Sequence, residues 1–189
     1  MKKLISLLLV LSLCLMGAAF AKSTSVAIDA PANDAVVFSI TDGKTTVQYT
    51  WLDLTQEGRF TLTTKTYPAK VNGENTTQDW TGVLLSALLS DAKTQGVLIE
   101  DDYNLSAVAS DGFESFFTVA DVMDETMVYI VAGDPVHTTD GDVDYGDSYV
   151  RIMRDMPMAN QASMRCILSL TVLDAQSAPL FPAEETAAQ

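Results

Sequence analysis

Four carboxylates stand at nearly alternating positions in Asp140-Gly141-Asp142-Val143-Asp144-Tyr145-Gly146-Asp147. Oxygen-rich sets of this kind hold hard cations, and calcium is the cation that Asp140, Asp142, Asp144 and Asp147 would suit. The set is not an EF-hand. Counted from Asp140, the positions where that loop requires Gly and Glu are Tyr145 and Arg151. A solvated acidic loop is the plainer expectation for the same residues. His137 is the only histidine, so any Ser-His-Asp or histidine-metal site would have to use it. Its place after Pro135 in a polar stretch predicts a surface residue. Cys166 adjoins the apolar run Ile167-Leu168-Ser169-Leu170, which predicts a buried, inert thiol. No Gly-x-Ser-x-Gly, His-Glu-x-x-His or phosphate-binding glycine loop occurs. Nothing in the spacing of the many acids singles out a catalytic pair.

These residues need a scaffold. Residues 36–40 and 45–51 read as strands joined at Asp42-Gly43, a hairpin signal. Residues 25–29 alternate weakly as a further strand. A short helix is expected near Leu52-Asp53-Leu54, ended by Gly58. Residues 59–67 alternate Thr with larger side chains as a strand stopped at Pro68, and residues 72–78 read as a polar loop. Val83, Leu84, Leu85, Ala87, Leu88 and Leu89 supply the wide apolar face of a helix that Gly96 ends. Beside Gly82, where the chain needs close approach, Trp80 is expected as a core anchor. Residues 103–110 and 113–119 are strands turned at Asp111-Gly112, followed by a short helix and a buried strand over 127–132. A long loop is expected from Gly133 to Asp147, and strands over 149–153 and 166–173 close the fold. Many short strands around one clear helix predict an α+β fold with mixed or antiparallel sheets and few short helices.

The N-terminus carries an address. Lys2 and Lys3 precede an apolar run from Leu4 to Leu15, and Ala19-Phe20-Ala21 supplies a small-x-small exit. Charge, core and exit in that order mark residues 1–21 as a cleavable secretion signal. The apolar core falls short of the roughly 20 residues that span a bilayer, so no membrane span is expected after cleavage. A lipid anchor on Cys14 is disfavoured, because Leu13 stands where lipoprotein processing wants a small residue. The net charge of the full sequence is -14. Losing Lys2 and Lys3, with no acid lost, leaves the processed chain still more acidic. That balance opposes nucleic acid and anionic lipid as partners, and leaves a small molecule or a protein. Processing would also leave Cys166 as the single cysteine, so no intrachain disulfide is available. The expected organisation is a signal peptide over 1–21, an N-terminal extension with strands over 22–44, one domain over 45–174, and a disordered tail over 175–189. The expected location is secreted or extracytoplasmic.

Five segments, in order, resemble the molybdopterin-binding domain of the sulfite-oxidase type. Trp80-Thr81-Gly82-Val83-Leu84-Leu85-Ser86-Ala87-Leu88-Leu89 looks like that family's aromatic-x-Gly-Val entry into a helix. Ala109-Ser110-Asp111-Gly112-Phe113, with Phe116-Phe117-Thr118, is similar to its strand, Asp-Gly-Tyr turn and returning strand. Val128-Tyr129-Ile130-Val131-Ala132-Gly133-Asp134-Pro135 resembles its apolar strand followed by a Gly and a Pro-containing turn. Gly146 to Met153 stands against its Gly-x-Pro-x-Arg-Leu-Val, and Ser163-Met164-Arg165-Cys166-Ile167 against its Ser-Val-Lys-Trp. The match covers roughly residues 45–173.

The resemblance implies a sulfite-oxidase-like fold and molybdopterin as the cofactor, with Arg151 and Arg165 at positions matching cofactor-contacting basic residues. The chain also departs from the family. No cysteine lies between Ala21 and Cys166, where catalytic members place the thiolate that ligates molybdenum, and soft thiolate ligation has no Ser or Asp substitute. Asp79 stands in place of a basic residue before the Trp-x-Gly motif. Tyr145-Gly146 replaces a His-Gly step, and the Pro of the Arg motif is missing. The expectation is an exported domain of this fold, degenerate at the metal site and acting as a binding module. The alternatives are an active molybdopterin-dependent oxidoreductase and a calcium-stabilised extracytoplasmic module.

Overall fold

Threonine, valine and aromatic residues suit a pleated, half-buried surface, and they shape most of this chain. The computed structural model describes residues 24–71, 74–124, 128–154 and 163–181; the expected signal, 1–21, lies outside them. The elements run β1 (Thr24–Ala27), β2 (Val36–Thr41), β3 (Thr46–Thr50), α1 (Trp51–Thr55), β4 (Leu62–Val71), β5 (Glu74–Leu84) and α2 (Leu85–Thr94). They continue as β6 (Asn104–Ala109), β7 (Glu114–Thr118), α3 (Val119–Met123), β8 (Tyr129–Asp140), β9 (Val143–Arg154), β10 (Ser163–Met164) and β11 (Ile167–Leu173). The fold is α+β, mostly strand, with few short helices.

The strands form two sheets. One has the order β10-β9-β8-β5-β4, with β1 pairing β8 as well, and the other runs β3-β2-β11-β6-β7. The β11–β2 pair is parallel, and the other pairs are antiparallel. Both sheets feed one core: Val83, Val131, Val150 and Ile152 from the first, and Phe38, Ile40, Leu105 and Leu170 from the second. Helix α2 adds Leu85, Leu88, Leu89 and Ala92, a spacing that puts all four on one helical face. Helix α1 starts in a capping box, where Thr50 and Asp53 satisfy each other's backbone N–H groups. Its Trp51 ring lies over Gly133, where a Cβ would fall 2.6 Å from the ring edge. Asp42 is buried, and its carboxylate accepts the N–H groups of Lys44, Thr45 and Leu98. The β2–β3 turn is thereby tied to the chain leaving α2.

Several expectations are corrected. The span from Gly133 to Asp147 is no loop: β8 and β9 pair from Tyr129↔Arg154 to Asp140↔Val143, turning at Gly141, whose φ is +59°. A two-residue connection with Gly first is a hairpin geometry. Residues 74–78 belong to β5 rather than to a polar loop, and β4 runs through Pro68, which pairs with Thr77. Proline is tolerated there because β4 is an edge strand, where one side of the backbone has no ladder to supply. The boundary after residue 44 cuts through the β2–β3 hairpin, and β2 lies between β3 and β11 within the second sheet. The segment from Ala175 to Phe181 is ordered. Asp174 accepts the N–H groups of Gln176 and Ala178, Leu173 bridges Pro179, and Phe181 sits against Gly43 and Lys44.

Candidate functional site

The first sheet presents its outer face to a second, smaller apolar cluster. Strand β5 pairs with β8 only from Gly82 to Leu84. Gly82 permits that approach, because a Cβ there would collide with the Val131 carbonyl. Beyond it the β4–β5 ribbon keeps its own pairing, and Tyr67 packs with Ile130, Ala132 and Met153, its hydroxyl 3.5 Å from the Val128 carbonyl. Trp80 packs against the same cluster. Arg151 projects from β9 onto this face, its guanidinium 4.5 Å from the Trp80 ring centroid.

Arg151 is buried, with 7% of its side chain exposed. Asp134 neutralises it: Nε and a terminal nitrogen donate to one Asp134 oxygen at 2.9 and 2.7 Å. Burial pulls the Arg151 guanidinium below its usual range; the Asp134 charge opposes this, and Arg165 lowers it further. The Cys166 charge raises it, so Arg165 and Cys166 both act on Arg151 through space. Arg165 follows Met164, which pairs with Ile152, the neighbour of Arg151. The structure therefore brings Arg151 and Arg165 near one another, but as unequal partners. Arg151 is spent on Asp134 and Trp80, whereas Arg165 is exposed.

The thiol does not join them in a common pocket. Cys166 belongs to the main core, 4% exposed, with its sulfur 3.1 Å from the Thr138 hydroxyl. Its φ of 57° is held by its carbonyl, which accepts the Ser110 N–H. A thiolate ligand for molybdenum must be open and anionic, and this sulfur is neither placed nor free for that task. The residues present do not fit a thiolate-ligated molybdenum cofactor.

Nor do the four aspartates gather. Asp140 and Asp142 flank the β8–β9 turn at Gly141. Asp147 lies opposite His137 and accepts its Nδ1 at 2.8 Å. Asp144 lies 3.2 Å from Nε2 and also accepts the Gly146 N–H. The Asp147 hydrogen bond raises the His137 pKa, with slight burial opposing and the Asp144 and Asp147 charges assisting. Two of the four carboxylates thus serve a histidine. Among the described residues, no three His, Cys, Asp or Glu side chains are grouped to hold a metal ion. His137 is therefore a strand residue clasped by two acids, an arrangement the linear spacing did not disclose.

Sequence reasoning missed Asp134 and the cleft beside α2. Asp134 carried no signal of its own, because its partner Arg151 stands on the neighbouring strand β9. The cleft, of about 500 Å³, opens between β4, α2 and α3. Its walls include Lys65, Ser86, Ala87 and Met123. No protein-family model matches the sequence, and no curated protein matches it. No helix among the described residues is long and apolar enough to cross a membrane.

Proposed function

We propose that this chain is an exported binding module built on the sulfite-oxidase-like molybdopterin-domain fold, with the metal chemistry lost. The observation that carries the reading is the separation of functions in space. Arg151 and Trp80 meet on one face of the first sheet and Arg165 is exposed, while the only cysteine of the described residues is buried in the main core. Two motif glycines act in packing: Gly82 lets β5 approach β8, and Gly133 admits the Trp51 ring. These are scaffold roles, and they survive without a cofactor. What remains open to a partner is the cleft beside the first sheet and the exposed Arg165.

Two measurements test this. Protein purified from its native host should be folded and free of molybdenum; stoichiometric molybdenum overturns the reading. N-terminal sequencing of protein recovered outside the cytoplasm should begin at Lys22. Recovery of the chain in the cytoplasm with residues 1–21 intact removes export from the proposal.

A further inference from the structure

We infer that the cleft between β4, α2 and α3 is a ligand site for a small amphipathic monoanion, an apolar body carrying one carboxylate. This names the ligand class of the binding module proposed above and rests on that reading. The cleft holds about 500 Å³, within the range of small-molecule sites. Its floor and walls are largely apolar: Leu84, Ala87, Val122, Val128 and the Tyr129 ring. Burial pushes the Tyr129 hydroxyl upward, with the Arg154 charge and hydrogen bond opposing and the Asp121 charge assisting, so the hydroxyl itself adds no anion to the floor. Three hydroxyl side chains, Thr63, Ser86 and Ser90, and two charged ones, Lys65 and Asp124, share the lining with that apolar surface.

Charge fixes the class. Among the described residues, Lys65 is the one cation lining the cleft and takes part in none of the ion pairs. Asp124 lines the same cleft and sets the opposite sign at the α3 end. One ammonium can pair one anionic group, and among the described residues no second cation lines the cleft. The whole chain, at -14, also repels polyanions. The ligand thus places its carboxylate at Lys65 and its apolar body over Leu84, Ala87 and Val128.

The purified protein is titrated calorimetrically with hexanoate, octanoate and decanoate, and with octanol and octylamine as controls. The expected result is one site whose affinity rises about fourfold with each added methylene. Octanoate should bind about fivefold more tightly than octanol or octylamine, the scale of a partly exposed ion pair. Lys65→Met should erase the difference between octanoate and octanol and leave the melting midpoint unchanged, since Lys65 is exposed. Ala87→Phe should remove binding of all three acids by filling the cleft. Octanol matching octanoate, or a Lys65→Met protein that keeps the preference, overturns the assignment. Metal-free protein that binds none of the acids overturns this ligand class alone, whereas stoichiometric molybdenum overturns the binding-module reading itself.

Discussion

Replacing Arg151 by Met keeps the apolar stem and deletes the guanidinium. The deletion removes two hydrogen bonds, at 2.9 and 2.7 Å, and a stacking contact 4.5 Å from Trp80. It also leaves Asp134, 16% exposed at its side chain, without its counter-charge. Removing one partner of a buried pair costs about 3 kcal/mol or more, and the lost cation–π contact falls within that figure. In a domain of this size that lowers the melting midpoint by about 6–12 °C. Asp134→Leu should cost a similar amount, because the guanidinium is then buried and unpaired. The combined Arg151→Met, Asp134→Leu protein buries apolar groups in place of two ions and should return to within about 1 kcal/mol of the parent. Urea unfolding at neutral pH, followed by circular dichroism, gives the four stabilities of the cycle. If the two losses add, to about 6 kcal/mol in the double variant, the pair is not one coupled unit and the electrostatic argument fails.

The His137 pKa is raised in the folded chain from an ordinary 6.5, so its contribution to stability is fully present below pH 6.5 and is lost as pH rises through the higher folded value. A proton titration of the imidazole by NMR should show a midpoint above 6.5, and His137→Gln should flatten that part of the stability profile; a midpoint at or below 6.5 defeats the assignment. Gly82→Ala drives a Cβ into the Val131 carbonyl and to 2.7 Å from an Ile130 methyl, and should cost about 1–3 kcal/mol or more by thermal melting. Gly58→Ala, with nothing within 4 Å of the added carbon, is the control, and equal losses at the two positions would refute the steric reasoning.

Local chemistry was readable along the chain. Asp42-Gly43 announced the β2–β3 hairpin, and Leu85, Leu88 and Leu89 announced α2, but Val83 and Leu84, read into the same helical face, end strand β5 instead. The misses have physical causes. Glu74 to Gln78 looks like a loop because every residue is polar, yet the β4–β5 ribbon there is wet on much of its surface and has little core to advertise. The acidic stretch after Thr139 hid a hairpin in the same way, since carboxylates on an exposed ribbon tip break no rule of burial. Partners set by strand register are further from view. Arg151 finds Asp134, and His137 finds Asp144 and Asp147, only because β8 and β9 fold onto each other with two irregular steps. A linear pattern carries no such register.

The placement of β11 bears on how the chain is made. This last strand lies between β2, near the start of the chain, and β6, so the second sheet consists of two separate hairpins until it arrives. That sheet cannot close until β11 has been made, because β11 fills its central position. Contacts between such distant parts of a chain form slowly. For the export proposed above, the delay keeps the second sheet from closing before β11 has crossed. The corresponding hazard is truncation. A product ending before Ile167 exposes the facing edges of β2 and β6, each ready to pair with another incomplete copy.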